Sequence, residues 1–436
     1  MSSIRSIHGR QVLDSRGRPT VEVEVRLSSG ATGRASVPSG ASTSAHEAHE
    51  LRDGDPAFFN GLGVTAAVAH VNGEIAAALA DQDAMDQAGC DRLLRDLDGT
   101  GALSRLGANA VLGTSLAICR ASAAQAGKPL FWRIADLAGV TDVVLPVPMV
   151  NILSGGLHAG RGMDVQDFLI MPVGADTMPE ALRLASRVRD AAAAVCADRG
   201  IPTLLADEGG LSPGCRTGRE ALELLMTAIE RAELKPGQDV AIAIDVAAAS
   251  LYDKAAGTYW LRREGRAATR DEMTGMIISW IEEFPVLSVE DPLDEEDWTG
   301  WSELTSRVGG RAHLIGDDLF ATNAERLRQG ISSGAATGVL VKANQNGTLT
   351  GTLEVVALAR EAGYLPIVSA RSGETEDDLL ADLAVGTAAG QIKVGSLRSS
   401  ERLAKYNQLL RIAETPGIRL SGYPVPDRAP ARGLSA

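Results

Sequence analysis

From Thr20 to Leu27 the chain reads TVEVEVRL, with apolar and charged residues in strict alternation. A period of two predicts a strand with one face buried and one solvated. A Ser-Ser-Gly turn leads into ATGRASV and then into a small-residue loop, Pro38 to Ser44 (PSGASTS). Apolar positions at helical spacing follow over residues 64–80, 84–97 and 108–126, separated by glycines. A few strands followed by helices predict an α+β layer over residues 1–138.

After residue 140 the rhythm changes. Short apolar runs each end in one polar or charged residue, with helical segments between them. VAIAID ends at Asp245, VLSVE at Glu290, HLIGD at Asp317 and GVLVK at Lys342; LPIVSA leads to Arg371, and GQIK ends at Lys393. From Glu290 onward the spacing is that of one strand plus one helix. The longer gap before Glu290 leaves room for an inserted turn around LYDKAAGTYW. Repeated βα units predict a parallel sheet, and this many favour a closed barrel. In such a barrel the residues that end the strands share one rim, where active sites are built. One charge ending a strand is ordinarily just solvated. Six in the order acid, acid, acid, Lys, Arg, Lys are hard to explain by exposure.

Composition narrows the partners. The chain has 436 residues, too many for one ordinary core, and a net charge of −14. That charge disfavours nucleic acid or an anionic membrane as the main partner, so an anionic substrate needs a local cluster of cations or metal ions. Cys90, Cys119, Cys196 and Cys215 show no CxxC spacing and read as reduced thiols used in packing. The N-terminus lacks the apolar core of a signal peptide, and no apolar run approaches the ~18 residues of a membrane span. A soluble, cytoplasmic protein is expected.

Asp245, Glu290 and Asp317 on successive strands would converge on one point. Hard oxygen donors without His or Cys suit Mg²⁺. The plainer alternative is a rim salt-bridged to Lys342 and Lys393. Mg²⁺ on a substrate carboxylate would stabilise an enediolate, and a desolvated lysine among cations has a lowered pKa and can act as a base. That combination of Lys base and Mg²⁺ is the known pattern of the enolase superfamily.

The motifs VLDSRGRPTVEVEV, VPSGAST, HELRDGD, LGANAVLGTSLA, LADEGGLSP, VEDPLDEEDW, GDDLFATN, VKANQNGTL and RSGETEDDLLADLAVGTAAGQIK resemble the enolase family along almost the whole chain. The resemblance implies an α/β architecture: an N-terminal α+β capping domain (1–138) followed by an enolase-type β/α barrel (139–436). It makes Asp245, Glu290 and Asp317 the ligands of a first Mg²⁺. Ser39, in a loop that closes over the site, would hold a second Mg²⁺ together with the phosphate. Lys342 becomes the base, Lys393 the partner of the substrate carboxylate, and Glu208 the acid that helps hydroxide leave. Arg371 and Ser372 would grip the phosphate. Asp167, Glu290, Asp317, Ser369 and Ala370 would join them around the substrate, and His158 lies in another active-site loop. A homodimer or larger homo-oligomer acting on a small phosphorylated or phosphonylated carboxylate is implied.

The chain also departs from the family pattern. It reads SARSGETED where SHRSGETED is usual, so Ala370 replaces a histidine, and Asp167 replaces the glutamate of QEF. Ser154 stands for Asn, Leu157 for Ser and Ser44 for Gly. Both main losses fall on the side of the departing hydroxyl and phosphate. Three readings follow. One is an enolase with altered efficiency on 2-phosphoglycerate. The second is a relative specialised for a bulkier phosphoenolpyruvate analogue, such as carboxyphosphonoenolpyruvate synthase of phosphinate antibiotic biosynthesis. The third is a catalytically silent fold, which would have no reason to keep the acids and lysines.

Overall fold

The computed structural model describes residues 2–40 and 44–424; three residues of the PSGASTS loop, 41–43, lie outside the described set. Strands β1 (Ile4–Leu13), β2 (Pro19–Leu27) and β3 (Thr32–Ser36) form an antiparallel sheet in that order. Along β2 the alternation acts as expected: Val21, Val23 and Val25 are fully buried, whereas Glu22 and Glu24 are not. The buried face lies on the helix Ala108–Ala126, whose small side chains allow close approach. Gly33 is the tightest point. A Cβ there would stand 2.2 Å from the backbone of Ala117 and Ala121. The helical pattern over 64–80 is realised as Thr65–His70 and Ala76–Leu79, joined by a wider π turn at Val71–Ile75.

The second region is a closed eight-stranded barrel. Its strands are β4 (Val147–Ser154), β5 (Asp167–Met171), β6 (Ala241–Asp245), β10 (Val286–Glu290), β11 (His313–Gly316), β12 (Gly338–Val341), β13 (Leu365–Ser369) and β14 (Gln391–Gly395). The turn inserted after β6 is a small antiparallel sheet of β7 (Tyr252–Asp253), β8 (Thr258–Leu261) and β9 (Arg266–Ala268). One expectation needs correction. The barrel is not wholly parallel, because β5 runs antiparallel to both β4 and β6. Its predecessor connects to it through a loop with only a short 3-10 turn and no crossover helix, so the chain returns down the barrel instead of re-entering at the bottom.

Inside the ring, Val147, Met149, Leu169, Met171, Ala241, Ala243, Ile315, Leu340 and Ile367 form a separate apolar cluster. Tyr423 joins it and donates its hydroxyl to Leu287 O at 3.0 Å. Side chains two residues apart on a strand share a face. Asn151, Asp167, Asp245, Lys342 and Ser369 therefore lie in phase with this apolar plug, one step nearer the rim. The four cysteines are free and buried, and burial pushes the thiols of Cys90, Cys119 and Cys215 up to about 12. No helix among the described residues is long and apolar enough to cross a membrane.

Candidate active site

The rim carries a cleft lined by His158, Glu208, Asp245, Asp317, Lys342, Ser369, Ala370, Arg371, Ser372 and Lys393. Strand pairing sets most of these positions: Asp245 is registered with Glu290 on β10 and with Asp167 on β5. The reversal of β5 explains how Asp167, the first residue of its strand, stands beside residues that end theirs.

The acids and lysines are interleaved. Lys393 Nζ sits between two carboxylates, 2.7 Å from Asp245 Oδ2 and 2.7 and 2.8 Å from the oxygens of Glu290. Burial works against its charge, but Asp245 and Glu290 outweigh burial and hold its pKa well above the ordinary value. Glu290 is itself raised well above a free glutamate, by burial first and by Asp245 next. Lys342 pairs with Asp317 Oδ2, and Gln345 Nε2 donates to Asp317 Oδ1 at 3.1 Å. The lowered pKa expected for Lys342 is not what the structure shows. Burial pulls it down, but Asp317 and, behind it, Glu290 push it up, and the net displacement is upward. Gln166, not anticipated from the sequence, donates to Asp245 Oδ2 at 3.0 Å.

Donor oxygens for a metal ion are plentiful. His158, Asp167 and Glu208 bring ligand atoms within 4.8 Å of one another, as do Asp291, Asp317 and Asp318. Asp317 thus belongs to a compact acidic group, while Asp245 and Glu290 converge on Lys393. Asp291 accepts the backbone N–H groups of Asp317 and Asp318 at 2.9 and 2.8 Å and so fixes that turn.

Next to Asp245, on the neighbouring strand, begins a second cluster. Asp167 Oδ1 accepts three hydrogen bonds, from Asn151 Nδ2 (2.5 Å), Ser154 Oγ (2.9 Å) and His158 Nε2 (3.1 Å). His158 Nδ1 faces Glu208 at 3.9 Å. Burial pushes the imidazole down, yet Asp167 and Glu208 outweigh it and raise its pKa to about 9. Glu208 is pushed up by burial and pulled down further by His158, Arg402 and the two lysines, so it ends below its ordinary value. Only glycine fits at position 210, where a Cβ would lie 2.3 Å from Ser154 Oγ. Ser154 and Asp167, two departures from the family pattern, are therefore in direct contact.

Arg371 and Ser372 follow β13. Ala370 continues the ladder, its N–H bonded to Lys393 O at 2.9 Å, and presents a bare methyl to the cleft. Ser39 pairs by backbone with Gly373, at 2.8 and 2.9 Å. Its hydroxyl is turned to Arg52 Nη2 (2.8 Å) and Glu50 Oε2 (3.2 Å), and it does not line the cleft. Glu290 and Asp167 lie just beneath the lining. Arg16 also enters the neighbourhood, donating to Ser372 Oγ at 3.3 Å and Ser39 O at 3.0 Å.

Two family comparisons bear on this arrangement. Residues 4–134 match the enolase N-terminal domain, and residues 142–421 match the enolase C-terminal TIM barrel domain. A small strand-and-helix domain, a barrel with one reversed strand and an acid–lysine rim are together accounted for by one conclusion: the chain belongs to the enolase family.

Proposed function

We propose that the chain is a Mg²⁺-dependent, enolase-type carbon–oxygen lyase acting on 2-phosphoglycerate and phosphoenolpyruvate or a close analogue. The observation that carries this reading is the division of one cleft into an acidic side, a cationic grip and two buried lysines between them. The donor set fits the ion, because Asp245, Glu290 and Asp317 offer hard carboxylate oxygens and no sulfur. When bound, Mg²⁺ supplies Lewis-acid charge to a substrate carboxylate. Ser39 would serve a second Mg²⁺ only after leaving Arg52.

The chain's own residues then divide the work. Lys342 is held as an ammonium by Asp317 here. Once Asp317 ceases to be its ion-pair partner its pKa falls, it releases its own proton to solvent, and as the neutral amine it takes the carbon-bound proton. Lys393 turns from Glu290 toward the substrate carboxylate. Arg371 and Ser372 hold the phosphoryl group. Glu208, held as a carboxylate by His158 and the nearby cations, serves as acid to the departing hydroxyl only after taking up a proton, which the neighbouring imidazolium of His158 can supply. Asp167 holds His158 by its Nε2 and keeps it cationic beside Glu208, a positioning role in which the shorter carboxylate is matched by Ser154.

Ala370 favours a second reading, and Leu157 accompanies it. Both line the cleft where the family carries polar side chains. The space left at Ala370 by the missing imidazole suits a bulkier phosphorus substituent, as in the carboxyphosphonoenolpyruvate synthase type, while Leu157 makes that wall more apolar. The deciding experiment supplies 2-phosphoglycerate and Mg²⁺ and follows enolpyruvate absorbance and α-proton exchange with deuterium. Turnover lost with a chelator and restored by Mg²⁺ supports the first reading. Exchange without elimination favours the second, and full turnover in excess chelator refutes both.

A further inference from the structure

Arg371 already has an anionic partner. Its guanidinium meets the carboxylate of Glu47 fork to fork, Nη1 to Oε2 at 3.0 Å and Nη2 to Oε1 at 3.4 Å, and Nη1 also donates to Asn344 Oδ1 at 3.0 Å. Both side chains are nearly sealed, at 4% and 7% exposure. The pair crosses from the N-terminal domain to the barrel. Glu47 is held from behind, its Oε1 accepting Ser44 N–H at 3.1 Å and Gln345 Nε2 at 3.2 Å.

The segment that carries Glu47 is itself pinned to the barrel. Ser44 Oγ donates to Glu295 Oε2 at 2.6 Å, and His46 Nε2 lies 2.6 Å from Glu296 Oε1. Ser44 is a departure from the family pattern, and the glycine it replaces has no hydroxyl with which to make this contact. The carboxylate is thus fixed in position beside the fork, at a cost in flexibility that a loosely held side chain would not incur.

We propose that Glu47 sets a charge threshold on the anion grip: an incoming anion must outcompete its carboxylate for Arg371. A singly charged carboxylate exchanges one such contact for another and gains nothing. A doubly charged phosphoryl group gains, because its attraction to the guanidinium is greater at the same distance. Glu47 therefore selects phosphoryl over carboxylate at this end of the cleft and orients the substrate's two anionic groups. The inference rests on the reading of Arg371 as the phosphoryl grip.

The test uses the full chain with Mg²⁺ at about pH 8, where a phosphoryl group is close to doubly charged. Thermal stability is titrated with inorganic phosphate and, separately, with acetate. The wild type should be protected by phosphate and not by acetate. In Glu47→Gln phosphate should bind on the order of ten-fold more tightly, and acetate should begin to protect. Glu47→Asp, which keeps the charge but withdraws it by one methylene, should move the same way by less and serves if the Gln variant does not fold. Variants that bind phosphate no more tightly and still ignore acetate would overturn the inference, leaving Glu47 as a positioning residue. Arg371→Gln separates the two levels. Lost phosphate protection there upholds the grip, whereas full protection removes the grip and the threshold together.

Discussion

His158 permits a quantitative test, because its environment is closed and its partners are known. The imidazole is buried and hydrogen-bonded to Asp167 at 3.1 Å, and against the pull of burial Asp167 and Glu208 raise its pKa from 6.5 to about 9. Its folded value is raised, so the associated stability is fully present below pH 6.5 and is lost as pH rises through about 9. At about 1.4 kcal/mol per pH unit, that interval is worth about 3 kcal/mol. The perturbation is His158→Gln, which keeps a polar side chain without the titration. Urea unfolding of both proteins should be followed in EDTA, so that metal affinity adds no pH dependence of its own. The wild-type advantage over the variant should be larger by about 3 kcal/mol at about pH 6 than at about pH 9.5. Subtracting the two curves cancels every other titrating group that the substitution leaves undisturbed. An advantage independent of pH over that window would refute the claim that His158 is held as a cation by Asp167 and Glu208.

Three further expectations follow from the same site and fold. Lys342→Ala should abolish exchange of the substrate's α-proton with deuterated solvent, and exchange that survives would place the base elsewhere. On the dehydration reading, Ala370→His with Asp167→Glu should raise elimination by about 10–10³-fold. Because Ser154 touches Asp167, adding Ser154→Asn should be needed for the full effect; on the bulkier-substrate reading the same changes should depress the native reaction. Gly33→Ala should destabilise the N-terminal domain by about 1–3 kcal/mol or more, since its Cβ would strike helix backbone that has no flexible end to yield; unchanged thermal unfolding would contradict that packing.

The barrel and its acid–lysine rim were legible because a buried strand that stops at a charged residue leaves a recognisable mark: an apolar run, then one charge. Asp167 leaves no such mark. It opens a reversed strand, so its apolar run follows it, and only the family resemblance placed it at the site. Glu47 and Arg16 were not legible at all, since the site residues they touch, Arg371 and Ser372, lie across the domain junction. Glu47 and Arg371 are 324 positions apart. Ser44 and Ser154 could be seen as departures, but no periodicity shows that each touches a carboxylate. The Lys342 expectation failed for a physical reason, because the nearest charge to its ammonium is Asp317 and not another cation.

The seam of the barrel has a consequence for how the chain reaches its native state. The ring closes between β14 and β4, where Lys393 is registered opposite Met149. Asp245, Glu290 and Asp317 all precede both lysines in the chain, so a half-assembled ring of β6, β10 and β11 gathers like charges with no counter-charge. An interior that penalises unpaired carboxylates makes such partial rings unfavourable. Lys342 on β12 meets Asp317, but only the last strand brings the ammonium that relieves Asp245 and Glu290, so closure and the neutralisation of that pair coincide and assembly is cooperative. Refolding in metal-free buffer should therefore be slowed more by Lys393→Met than by Lys342→Met, whose lysine enters two strands earlier. Pairing Lys393→Met with Glu290→Gln should recover much of the rate by removing the charge left stranded. If Lys393→Met refolds as fast as the wild type, closure is driven by apolar packing alone and the rim charges enter a ring that is already formed.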